Sequence, residues 1–121
     1  VKVKHAHDAM GFIIERDDSA ILFTGDTGPT ERIWEVARGI KNLKGIFTEV
    51  SFPNKFQNVA DLSDHHTAAS MEVEIKKMPP MVPIILTHLK PNFRKEILKE
   101  LKALCEPRIH ELLKDGLVFN F

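Results

Sequence analysis

"AILFTGDTGP", residues 20–29, is the stretch on which the reading of the fold turns. Its apolar start reads as a buried strand, and Gly25 breaks it. Pro29 suits the first turn of a helix, where its missing N–H needs no partner. Strand, loop and helix within so few residues are the opening of an α/β unit. Asp26 stands on the lip of the strand, where a carboxylate is costly to desolvate. Either it caps the following helix or it faces a cation, and at this point both readings stand.

Working outward, the helix after Pro29 runs to about Gly39, with Ile33, Trp34, Ala37 and Ile40 as an apolar stripe. Upstream, "VKVKHA" alternates apolar and cationic residues as a half-buried strand does, "GFIIE" is a second β run, and "RDDS" turns into "AILFT". Downstream, "GIFTEV" (Gly45–Val50) is a buried strand, and "SFPNKFQNVADLSDH" reads as a long polar loop. A second helix starts near Thr67, carries Ala68, Met71, Ile75 and Met78 on one face, and stops at Pro79 and Pro80. "VPIILTHL" is the most apolar strand and is expected at the sheet centre. A third helix from about Asn92 buries Phe93, Ile97, Leu101 and Leu104. "IHELLKDGLVFNF" reads as two strands around Asp115-Gly116. The order β-β-β-α-β-α-β-α-β-β predicts an α/β fold, a mixed sheet with helices packed on one face.

Composition narrows the partners. Lys plus Arg and Asp plus Glu both number 17, so the formal net charge is zero. That gives no electrostatic footprint for a nucleic acid or a membrane surface, and neither partner is expected. Cys105 is the only cysteine, so no internal disulfide forms and a reducing, cytoplasmic setting is expected. No apolar run approaches the roughly 18 residues of a membrane span.

The chemistry-bearing residues gather at strand ends. His5 and His7 end the first strand, Asp26 follows the third, and Glu49 lies near the end of the fourth. His65 and His66 precede a helix, and His88 ends "IILTH". Carboxyl ends of strands are where open α/β sheets bind ligands. Histidine with aspartate, and no nearby cysteine, suits zinc, manganese or iron. Each residue also has a plainer reading: Asp26 as a cap, His88 as a hydrogen-bonded strand end, "DHH" (64–66) as a solvated loop, Glu49 as a partner for a lysine. The set taken together favours the metal.

That set resembles the metallo-β-lactamase superfamily, and within it the class II 3′,5′-cyclic-nucleotide phosphodiesterases. "HAHDAMGFIIE" places a histidine before a Gly-aromatic strand, "ILFTGDTGP" ends a strand in Gly-Asp, and "FTEVSFPN" is similar to a Glu-x-Ser-aromatic-Pro segment. "HHTAASM" resembles a His-x-Thr helix start shared with the tRNA 3′-processing endonucleases, and "IILTHLKP" the last metal motif. The resemblance implies that His5 and His88 each complete one metal's ligands while Asp26 bridges the two. His7 is the rival to His5. It further implies His66 as general acid, and Glu49, Ser51 and Thr67 against the substrate. Two divalent ions, zinc first and manganese or iron as alternatives, would support hydroxide attack on the phosphorus of a cyclic nucleotide or other phosphodiester. RNA processing and ester or thioester hydrolysis are the alternatives, and a non-catalytic assembly half-domain is the third.

The family's His-x-His-x-Asp-His signature does not occur within these 121 residues. Residues 1–121 are therefore expected to form a single-domain fragment, the C-terminal half of an αββα metallo-β-lactamase sandwich. Inactivity of the fragment alone is expected, as is association with the missing N-terminal half or with a second copy in a homo-oligomer, through an exposed inner sheet face.

Overall fold

The computed structural model describes residues 1–112 and 114–121. Five strands form a mixed sheet in the order β3 (Phe12–Arg16), β4 (Ser19–Phe23), β5 (Leu43–Glu49), β6 (Ile84–Thr87) and β7 (Ile109–Leu112). β3 and β4 are an antiparallel hairpin, whereas β4, β5, β6 and β7 pair in parallel. Parallel neighbours need crossovers, and helices supply them. These are α1 (Arg32–Arg38), then α2 (Gln57–Ser63) with α3 (Ala68–Ile75), then α4 (Arg94–Ala103). β1 (Lys2–Val3) and β2 (Ala9–Met10) form a separate two-stranded ribbon. The protein is α/β, one mixed sheet with its helices, matching half of an α/β sandwich. No helix among the described residues is long and apolar enough to cross a membrane.

The core lies between the sheet and the helices. Ala20, Leu22, Ile46, Ile84 and Leu86 meet Ile33, Trp34 and Ala37 of α1, Ala68, Met71 and Ile75 of α3, and Ile97 and Leu101 of α4. The buried carboxylate of Glu74 is satisfied inside this layer. Glu74 accepts hydrogen bonds from Trp34 Nε1 at 2.6 Å and Thr30 N–H at 2.9 Å, and pairs with Lys77 at 2.9 Å. This carboxylate clamps α3 to α1, and burial makes each of its bonds costly to lose. Thr67 caps α3 in a reciprocal capping box with Ser70.

Period-2 alternation sends the other strand residues to the opposite face. Phe12 opposes Phe23, and Ile14 opposes Ile21, across the β3–β4 register. Phe23 stacks on Phe47 at 4.2 Å, and Phe119 and Phe121 meet Phe47 edge-on. Gly45 makes room for the Phe121 ring, since a Cβ there would come within 2.9 Å of it. The carboxyl-terminal residues thus cover the middle of this face. Phe12 and Ile14 at its edge remain 57% and 53% exposed.

Four expectations change. β5, not β6, is the central strand of the five: Leu43–Glu49 is buried at every position but Lys44. "VKVKHA" contributes only the short β1, which pairs with β2 outside the main sheet. The expected loop 51–65 contains a 3-10 turn and α2, a helix whose one buried residue, Ala60, leaves almost no periodic signal. The expected hairpin is a single strand, β7; Leu113 lies outside the described residues, and 114–121 contain no strand. Phe119 and Phe121 lie against Phe47 of the sheet instead of pairing with β7.

Candidate metal and phosphodiester site

Because β4, β5 and β6 run in parallel, their carboxyl ends share one edge, and Asp26, Glu49 and His88 arrive there together. Two further segments join them. Gly28 donates to the Lys4 carbonyl at 2.8 Å, which ties the loop of Asp26 to the ribbon carrying His5. Gly28 also lies against Asp64, where a Cβ would meet backbone at 3.1 Å, so only glycine lets these loops approach so closely. Ser51 and Phe52 N–H groups both reach the His66 carbonyl, fixing His65 over the end of β5. His88 holds a left-handed backbone, φ 61°, of the kind that clusters at functional sites.

Asp26 stands between two imidazoles. Its Oδ1 lies 3.0 Å from His88 Nδ1, and its Oδ2 lies 4.0 Å from His5 Nε2. The ligand atoms of His5, Asp26 and His65 fall within 4.8 Å of one another, as do those of Glu49, His65 and His88. A carboxylate whose two oxygens address different histidines has the form of a bridge. A nitrogen-and-oxygen donor set without thiolate fits a divalent ion such as zinc, manganese or iron. The side chains that could hold such an ion are His5, Asp26 and His65 in one group and Glu49, His65 and His88 in the other.

Glu49 forms the second half of the site. It is fully buried, and its Oε1 meets His65 Nδ1 at 2.5 Å and accepts the Thr27 N–H at 3.2 Å. Its Oε2 accepts from the Ser51 hydroxyl at 2.8 Å and the His66 N–H at 3.3 Å. The hydrogen bond to Glu49 raises the His65 pKa above its ordinary value, against an opposing contribution from burial, with the charges of Glu49 and Asp26 adding to the rise. Ser51 Oγ also lies 2.9 Å from His88 Nδ1, so one hydroxyl touches both halves.

The expected site residues separate on this geometry. His5, Asp26, Glu49, Ser51 and His88 converge. His66 does not: it is fully buried, its Nδ1 2.9 Å from Ser70 Oγ, and its Nε2 has no hydrogen-bond partner among the described residues. Burial lowers its pKa. Thr67 is occupied as a helix cap and bonds Gln57. His7 is exposed, its ring 6.4 Å from that of His5 and outside both ligand groups. His65, which sequence reasoning set aside for its neighbour, is the histidine that lies against Glu49 and within both groups. The signal available was Glu49, a carboxylate at the end of an otherwise apolar strand that needed a partner other than lysine.

Fold and site together give a half-layer of α/β structure with histidine and carboxylate side chains gathered at its strand ends. Over 98 residues the chain is 30% identical to Ribonuclease Z of Archaeoglobus fulgidus, a metallo-β-lactamase family member, in a match covering 78% of this chain and 31% of that protein. The chain spans about a third of the length of the curated relative it matches. No family model matches the sequence. The likeness supports the resemblance to the superfamily.

Proposed function

We propose that the chain forms part of a metal-dependent phosphodiesterase acting on RNA. The observation that carries this reading is the Glu49–His65 pair, 2.5 Å apart, beside an aspartate set between two histidines. Divalent ions held by His5, Asp26 and His88 would polarise the phosphoryl group and lower the pKa of water. Asp26 offers carboxylate oxygens as donors, and His5 and His88 offer ring nitrogens. His65, whose pKa the hydrogen bond to Glu49 raises, is placed to give a proton to the departing oxygen. The buried Glu49, held by Thr27, Ser51 and His66 N–H, orients that ring and compensates its charge. The remaining metal donors come from the half of the sandwich that carries His-x-His-x-Asp-His.

RNA is favoured over other esters by the likeness to Ribonuclease Z. A cyclic nucleotide is the second reading, and the Glu49–Val50–Ser51–Phe52–Pro53 segment speaks for it through its phosphodiesterase pattern. The test combines the protein with its upstream half and compares a 3′-extended tRNA precursor with 3′,5′-cyclic AMP. His65→Ala should lower kcat by about 10²–10⁴-fold with metal content intact. Asp26→Ala should lose metal and hydrolysis together. Full metal content and unchanged hydrolysis in Asp26→Ala would sink the reading, and so would normal turnover in His65→Ala.

A further inference from the structure

We infer that Lys90 is a phosphate-binding residue that grips a phosphate flanking the scissile bond, so that the site takes a polynucleotide with more than one phosphate. The inference rests on the phosphodiesterase reading and deepens it. Lys90 follows the metal-site strand by three residues, and its Nζ sits 5.0 Å from the centroid of the Phe52 ring. Phe52 in turn meets the His65 ring edge-on at 5.9 Å. The ammonium therefore lies within two such steps of the proposed proton donor, close enough for its charge to act on the His65 pKa.

Its neighbour Lys55 lies over Phe56 but is neutralised by Glu96 at 3.0 Å. Lys90 has no acidic partner among the described residues, and an aromatic face holds it instead. A ring orients a cation without cancelling its charge, which leaves the ammonium available to an anion. Phe52 is itself positioned, against Phe93 at 6.4 Å, and Phe93 against Phe56 at 5.2 Å. A fixed cation one aromatic ring away from the general acid is placed to bind a neighbouring phosphate rather than to take part in bond cleavage. A cyclic nucleotide, with one phosphate, leaves Lys90 without a ligand.

The probe is a 5′-fluorescein-labelled single-stranded oligoribonucleotide, its binding followed by fluorescence anisotropy across a salt series. Lys90→Ala should weaken binding about tenfold and reduce the slope of log affinity against log salt by about 0.7. Lys90→Arg should restore both. Where turnover is measured, KM should rise in Lys90→Ala with kcat nearly unchanged. Oligonucleotide affinity and salt slope unchanged in Lys90→Ala overturn the inference, as does a wild-type protein that binds no oligonucleotide. Binding that weakens in Lys90→Ala without any hydrolysis by the wild type would support Lys90 while removing the proposed activity.

Discussion

The two faces of the five-stranded sheet are finished in different ways. Beneath the helices, Leu22, Ile46, Ile84 and Leu86 have no exposed surface, and the buried carboxylate of Glu74 is hydrogen-bonded to Trp34 and Thr30 and paired with Lys77. On the other face the sheet presents Phe12, Ile14, Phe23 and Phe47, and among the described residues the carboxyl-terminal Phe119 and Phe121 lie over the middle. The first face is completed by segments close in sequence to each strand. The second offers apolar area that nothing nearby in the chain is long enough to cover. The candidate site lies at the strand ends, where its donors are rigidly placed but too few to enclose two metals. We propose that the second face and the missing ligands have one remedy, the other half of the sandwich.

Substitutions can break that contrast, and the largest effect belongs to the closed face. Trp34→Ala empties the core and leaves Glu74 short of a donor, so urea denaturation should show a loss of about 3–5 kcal/mol. Glu74→Gln keeps the shape but turns an amide towards Lys77, and the same measurement should register about 1–3 kcal/mol. A midpoint unchanged by either would show that α1 and α3 are not clamped as described.

Next come the adjacent histidines, which titrate in opposite senses in metal-free protein. The folded pKa of His65 is raised, so its stabilisation is fully present below the ordinary value of 6.5 and is lost as pH rises through the folded value. The folded pKa of His66 is lowered, so below 6.5 the unfolded chain takes up the proton first and stability falls as pH falls. Denaturation midpoints followed across pH should lose their alkaline decline in His65→Ala and part of their acid decline in His66→Ala. Identical profiles for the two variants would contradict the assignment.

The smallest effect is expected at the open face. Phe12→Ser should change the stability of the chain alone by no more than about 0.5 kcal/mol, because the ring is already largely in water. Its cost should appear on assembly with the upstream half, measured as weaker association. A large loss in the isolated chain would mean that this face is covered in solution.

Much of the closed face was legible because it is written in local periodicity. The stripe at Ile33, Trp34 and Ala37 announced α1, and the alternation of Ala20 and Leu22 announced β4. α2 was hidden because it buries one residue, and the terminal hairpin was misread because Phe119 and Phe121 pack on the Phe47 ring and form no strand. The site was legible as a set of strand-end residues, while the choice between His65 and His66 was not. Two neighbours differ by a turn of the backbone that no composition records. A net charge of zero is a sum, and it leaves room for one lysine seated on an aromatic ring beside the site.

The sequence by itself determined the α/β class, the placement of Asp26 and His88 at strand ends, and the absence of an internal disulfide, because each follows from spacing or count. Tertiary structure alone decided that β5 lies at the centre, that Asp26 stands between His5 and His88, and that Glu49 selects His65. Those relations join residues tens of positions apart, and parallel pairing of β4, β5 and β6 is the physical step that brings them to one edge.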